Sequence, residues 1–177
     1  MKWWLWLGLL TVSNVHADAL PLCYHYGCKR DSHFEVGADD KQRLARLLSD
    51  DATAEAERAA VKAAVRELYL MAGRSTPIWQ DKGGNFLDGT ADGRMDCVDH
   101  SRNVTTFLNY LQEQGWLRFH TVGKPVWRAP RFLDLHYTAV LHDSGNGEDW
   151  AVDSWFKDFG APPEVVPLAI WKEGYSP

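Results

Sequence analysis

Apolar residues recur at helical spacing in two stretches of the first half of the chain. Over residues 39–50, Leu44, Leu47 and Leu48 fall on one face, and over residues 53–72 Val61, Ala64, Val65, Leu68 and Ala72 form a longer stripe. Gly73 follows the second stripe where a helix-ending glycine is expected. Both helices read as an alanine-rich scaffold layer with solvated charges outside. A third helix is predicted from about Asp96 to Gly115. Its inward stripe is Cys97, Ser101, Val104, Leu108 and Leu111, which puts Cys97 on the core-facing side of the first turn.

Beyond this helix the period changes from 3.6 to 2. Residues 117–122, 135–142 and 149–155 read as strands, with the hairpin turn in Asp143-Ser144-Gly145-Asn146-Gly147. Helices followed by an antiparallel sheet predict an α+β domain, a helical layer packed on that sheet. Residues 73–96 are rich in Gly, Asp, Asn and Pro, a long connection of the kind kept for function. Residues 161–177 read as an extended segment wrapping the body.

The chain of 177 residues suits one domain with its own core. Its 19 Lys and Arg against 24 Asp and Glu, with no cationic run, exclude the electrostatic footprint of a nucleic-acid partner. Residues 1–17 have the parts of a secretory signal: Lys2, an apolar stretch over residues 3–12, and Val15-His16-Ala17 before a cleavage site. That stretch falls short of the roughly 20 residues that span a bilayer. The expectation is a periplasmic or secreted protein, residues 18–177 forming one domain with no stable membrane insertion once the signal is removed. Leu22, before Cys23, argues against lipidation there.

In an oxidising compartment three cysteines imply one pair and one left over. Cys23 and Cys28 are the natural pair, which leaves Cys97 as a free thiol that needs a reason to be kept. A thiol becomes a nucleophile when a helix N-terminus or an imidazole lowers its pKa. The helix start supplies the first device. Among the histidines, His136 alone comes with an acid on the neighbouring strand. A four-residue hairpin loop would set His136 directly opposite Asp153; a two- or six-residue loop would keep the pair on one face but make it diagonal. The expected roles are Cys97 as nucleophile, His136 as base and Asp153 as orienter, with backbone N–H groups at the helix start holding an oxyanion.

Met95-Asp96-Cys97-Val98-Asp99 at a helix start, His136-Tyr137-Thr138-Ala139-Val140 on a strand and Trp150-Ala151-Val152-Asp153-Ser154 on the next resemble the core of the bacterial transglutaminase-like cysteine peptidases, within the papain-like group. The resemblance covers residues 90–160. It implies a transglutaminase-like fold and acyl transfer through a thioester, with Cys97 as nucleophile, His136 as base and Asp153 as orienter, but no substrate. The leading expectation from the residues is an exported cysteine hydrolase or acyl transferase, without a cofactor, acting on amide bonds in a protein or cell-wall peptide. The papain-type signature around the cysteine is absent. Gln80 and Asn85 are the candidates for a side-chain oxyanion donor.

Other chemistries compete for the same residues. Asp88, Thr90, Asp92, Asp96 and Asp99 place oxygens at calcium-loop spacing around Gly93. The alternative for these acids is helix capping and turns. His136 and His142 would lie roughly 20 Å apart along a strand, too far for one zinc ion. His100, one turn beyond Cys97, is a second candidate base, whereas His25, His33 and His120 read as surface or satisfied polar residues. The tryptophans after the signal read mostly as core, with Trp127 and Trp155 the candidates for a groove rim. Two further functions fit the pattern: a non-catalytic binding domain on the same fold, and a cell-wall peptide amidase.

Overall fold

The structure, a computed structural model, describes residues 17–49, 52–85, 87–130 and 135–177. All but the last residue of the expected signal segment therefore lie outside the described residues. The architecture is α+β, with four helices and two antiparallel sheets among the described residues. Strands β1 (Asp18–Tyr24) and β2 (Arg30–Val36) form a hairpin, followed by helices α1 (Ala38–Ser49) and α2 (Ala54–Ala72). Two 3-10 turns, Pro77–Gln80 and Gly83–Asn85, lie in the long connection to α3 (Cys97–Glu113). The second sheet has the order β3 (His120–Arg128), β4 (His136–Asp143), β5 (Asp149–Asp153), β6 (Glu164–Pro167), and α4 (Leu168–Lys172) follows it. No helix among the described residues is long and apolar enough to cross a membrane.

Helix α3 is the axis of the molecule, packing on β1, α2 and the β3–β5 face of the larger sheet. Val104, Phe107, Leu108 and Leu111 are buried there against Leu68, Tyr69, Ala139, Leu141 and Val152. Burial of such aliphatic and aromatic side chains is the main stabilising contribution, about 1.5–3 kcal/mol for each large one. Thr53 caps α2 by accepting from the Ala56 N–H at 3.1 Å. From the first turn of α2, Glu57 accepts N–H bonds from Arg118, Phe119 and His120, which fixes where β3 begins. Within its described residues, the helical pattern of the sequence matches α1, α2 and α3 closely.

The N-terminal residues, for which the hydrophobic pattern predicted no element, form the β1–β2 hairpin, and the expected Cys23–Cys28 disulfide closes its turn. Three expectations are corrected. Strand β3 starts at His120 and runs to Arg128 instead of covering residues 117–122. The C-terminal segment is ordered as β6 and α4, and Trp171 is wholly buried. Gly73 does end α2, but in right-handed conformation at φ −66°, so left-handed freedom is not its role. A Cβ there would stand 2.4 Å from the Phe159 ring; close packing demands the glycine.

Candidate active site

Cys97 is the first residue of α3, and Asp96 is its N-cap. The Asp96 side chain accepts from the N–H groups of Val98 and Asp99 at 3.0 and 3.1 Å, and the Asp99 carboxylate accepts from the Asp96 N–H at 2.9 Å. This reciprocal capping box sets the start of the helix and the position of the thiol. It also spends two of the N–H groups that the sequence assigned to an oxyanion. What faces the sulfur is the N–H of Tyr137 and that of Cys97 itself, with the Leu135 carbonyl 3.9 Å away. Leu135 and Tyr137 flank His136, so the thiol lies against the strand segment that carries the imidazole. Cys97 is half-buried and is the free cysteine of the chain.

Burial pushes the Cys97 thiol up, and the carboxylates of Asp96 and Asp153 add to this, outweighing the two N–H groups. The expectation of a thiol acidified by the helix start is therefore corrected. The capping carboxylate cancels the positive end of the helix dipole at short range. The resting group is an uncharged thiol, which needs a base.

His136 opens β4 and Asp153 closes β5. His136 Nε2 lies 2.6 Å from Asp153 Oδ2, both residues buried. The register pairs His142 with Asp149 and Ala139 with Val152, so Asp153 falls level with Thr138. The hairpin loop thus has six residues, and His136 and Asp153 are diagonal neighbours on one face, not directly opposed. Asp143 lengthens the loop: its side chain accepts from Gly145 and Asn146 N–H groups, and its own N–H donates to the Glu148 carbonyl. With Nε2 held by the carboxylate, Nδ1 is the nitrogen left to exchange a proton. The ring is packed by Trp155 at 4.5 Å, Phe156 at 5.4 Å and Trp171 at 5.5 Å between centroids. This shell fixes the imidazole and keeps water from the Asp153 bond.

Of the two oxyanion candidates, Asn85 is tied into this shell, its Oδ1 accepting from the Trp155 indole N–H. It holds a left-handed conformation, φ 62°. Gln80 instead accepts from the Asp92 N–H at 3.1 Å. Beside His136, Gly83, Gly84, Arg128, Trp155, Phe156 and Tyr175 line part of a groove of about 510 Å³. Trp155 therefore belongs to a groove wall, as its sequence position suggested. Trp127 is 58% exposed, and Trp79, read as core, is 60% exposed.

His100 does not face the thiol as a competing base. It is buried, with Nε2 3.1 Å from Asp81 Oδ2 and Nδ1 2.8 Å from Ser154 Oγ, which also lies 3.0 Å from the Tyr69 hydroxyl. Asp81 in turn accepts from the Met95 N–H at 2.6 Å. This network joins the residues preceding Cys97 to the residue following Asp153. Nothing in the sequence pattern signalled it, because its members lie in four separate segments. His120 is a satisfied buried histidine, 2.8 Å from Glu57, while His25 faces the Asp92 carbonyl and His142 bonds Asp149 at the surface.

The four carboxylates of the calcium-loop pattern are used within the protein. Asp88 accepts from Lys82 N–H and the Tyr26 hydroxyl, Asp92 pairs with Arg30, Asp96 caps α3, and Asp99 receives the N–H groups of Tyr26, Cys28 and Asp96. Among the described residues the one cluster with metal-ligand spacing is Cys23, Cys28 and Asp99, whose sulfurs are bonded to each other. The capping and turn reading of these acids is the one the geometry supports.

Comparison with family models, with curated proteins and with solved structures finds no similar protein.

Proposed function

We propose that the chain is an exported thiol-dependent hydrolase or acyl transferase acting on amide bonds, with Cys97 as nucleophile, His136 as base and Asp153 as orienter on a transglutaminase-like core. The observation that carries the reading is the 2.6 Å bond between His136 Nε2 and Asp153 Oδ2 on the strand that borders the free thiol of Cys97. A buried imidazole paired to a buried carboxylate, with its other nitrogen unspent, is built to receive a proton. The Cys23–Cys28 disulfide supports a periplasmic or secreted location.

In this mechanism His136 Nδ1 takes the Cys97 proton as the sulfur attacks the carbonyl carbon. The new C–S bond leaves a negative oxygen, and Asp153 stabilises the imidazolium. Collapse breaks the C–N bond, and His136 returns the proton to the departing amine. Water or a second amine then attacks the thioester, giving its proton to His136, and the thiol is regenerated. The N–H groups of Tyr137 and Cys97, which face the sulfur, are the donors beside the reacting atom, and Asn85, tied to Trp155, is the side-chain candidate for the oxygen.

The test is digestion of purified cell-wall peptides and of denatured casein by the wild type and by Cys97→Ala, with mass spectrometry of the intact protein. The reading expects turnover of one of these amide substrates, an acyl adduct on Cys97, and loss of both in the variant. Undiminished turnover in Cys97→Ala contradicts it.

A further inference from the structure

We infer that Trp171, on the C-terminal helix α4, is a positioning residue of the catalytic site, holding the Asp153 carboxylate in the orientation in which it serves His136. The inference rests on the proposed roles of Cys97, His136 and Asp153 and extends them to a residue outside the helix and strands that carry them.

The Trp171 indole Nε1–H donates to Asp153 Oδ2 at 2.8 Å, the same oxygen that meets His136 Nε2 at 2.6 Å. The other oxygen, Oδ1, accepts from the Trp155 N–H at 3.1 Å. Two protein donors thus fix the carboxylate, one at each oxygen. Trp171 is itself fully buried. Its carbonyl accepts from Arg128 Nη1, and the guanidinium lies 4.5 Å above its ring. Arg128 is the cross-strand partner of His136, so one residue braces both the strand of the base and the indole that holds the acid. The Trp171 ring also packs on the His136 ring at 33° between planes.

The arrangement has a chemical consequence. A carboxylate that shares one oxygen between an indole N–H and an imidazole N–H puts less of its charge on the imidazole than an undivided one does. Removing the indole donor leaves the whole of that oxygen to the imidazole, so the effect of Trp171 on the pair is open to measurement. Other titratable groups feel the same carboxylate: Cys97 and His100 from α3, Tyr69 from α2 and Tyr175 from the C-terminal segment. Arg128 is the cation on the β3 side. Trp171→Phe keeps a ring beneath the Arg128 guanidinium and the main-chain carbonyl that it bonds.

The experiment follows the His136 imidazole by ¹⁵N NMR as a function of pH in the full chain, for wild type, Trp171→Phe, Asp153→Asn and Leu168→Ala. Trp171→Phe removes the donor and keeps an aromatic ring, and the His136 titration is expected to move upward by about 0.5–1 pH unit. Asp153→Asn is expected to move it downward. Leu168→Ala, a cavity elsewhere on α4, controls for loosening of the helix and should leave the titration in place. In the wild type, where no variant has to fold, the Trp171 indole ¹⁵N–H resonance should titrate with the same midpoint as His136. A shift with Asp153→Asn but none with Trp171→Phe, or an indole resonance indifferent to the His136 transition, overturns the assignment of Trp171 alone. A His136 titration unmoved even by Asp153→Asn overturns the proposed pair, and the role of Trp171 with it.

Discussion

The main-chain N–H of Cys28 donates to Oδ1 of Asp99 at 2.5 Å, so the disulfide-closed turn of the N-terminal hairpin bears directly on the first turn of the helix that presents Cys97. Tyr26 N–H reaches the other oxygen at 2.9 Å, and His25, Tyr26 and Cys28 all hold left-handed backbone conformations to make this possible. The disulfide constrains a turn that three non-glycine residues would otherwise leave readily. Replacing both Cys23 and Cys28 by Ser should cost about 2 kcal/mol, from the loop-closure entropy of so short a ring. Urea denaturation of the variant against the oxidised wild type measures it; a difference near zero contradicts a structural role for the bond.

Asp99 carries a pH dependence of defined sign. Burial, with the Asp96 carboxylate beside it, pushes its carboxyl up to about 6 against the N–H groups it accepts. The folded chain holds this proton more tightly than the unfolded chain. The stability involved is fully present below the ordinary value of 3.8 and is lost as pH rises through about 6. Urea midpoints at pH 5 and pH 7.5 should fall more in the wild type than in Asp99→Asn. Parallel changes in the two proteins contradict this.

Glu57 behaves in the opposite sense. Burial pushes its carboxyl up, but His120 and the N–H groups of Arg118 and Phe119 outweigh this and hold it below the usual glutamate range. Its stabilisation is present above 4.5 and is lost as pH falls through its lower folded value. Glu57 is wholly buried, so Glu57→Ala takes the acceptor away from His120 Nδ1 and from the N–H groups of Arg118, Phe119 and His120. The expected cost is about 3–5 kcal/mol, read by chemical denaturation at neutral pH.

His100 links the two halves of the site through Asp81 and Ser154. Burial opposes its charge, yet Asp81 more than offsets this and raises its pKa above the ordinary histidine value. The resulting stability is complete below 6.5 and is lost as pH rises through the higher folded value. His100→Gln strands Asp81 in the interior, at an expected cost of about 3 kcal/mol near pH 6, with a smaller difference at pH 9. A difference that grows with pH contradicts the ion-pair description.

The helical part of this fold was legible because its signals are local. Leu68 and Val65 repeat at helical spacing, and Asp96 with Asp99 writes a capping box that locates Cys97 at a helix start. The pairing of His136 with Asp153 was legible only as far as the face they share. Any even loop puts them together, and the choice of six residues over four depends on hydrogen bonds made by the Asp143 side chain. The β1–β2 hairpin was missed because its turn places His25, Tyr26 and Cys28 in a conformation usually signalled by glycine or asparagine. Trp171 was missed because α4 has five residues, too few to show a period, and its partner Asp153 is fixed by tertiary packing.

The central claim is that the thiol of Cys97, uncharged at rest, depends on His136 for removal of its proton. It is tested most directly by the rate at which iodoacetamide alkylates Cys97 at pH 7 in the wild type and in His136→Ala, with the modified residue located by peptide mass spectrometry. The account predicts that the variant reacts at least about tenfold more slowly, in line with the effect of a positioned general base. Equal rates in the two proteins would contradict it.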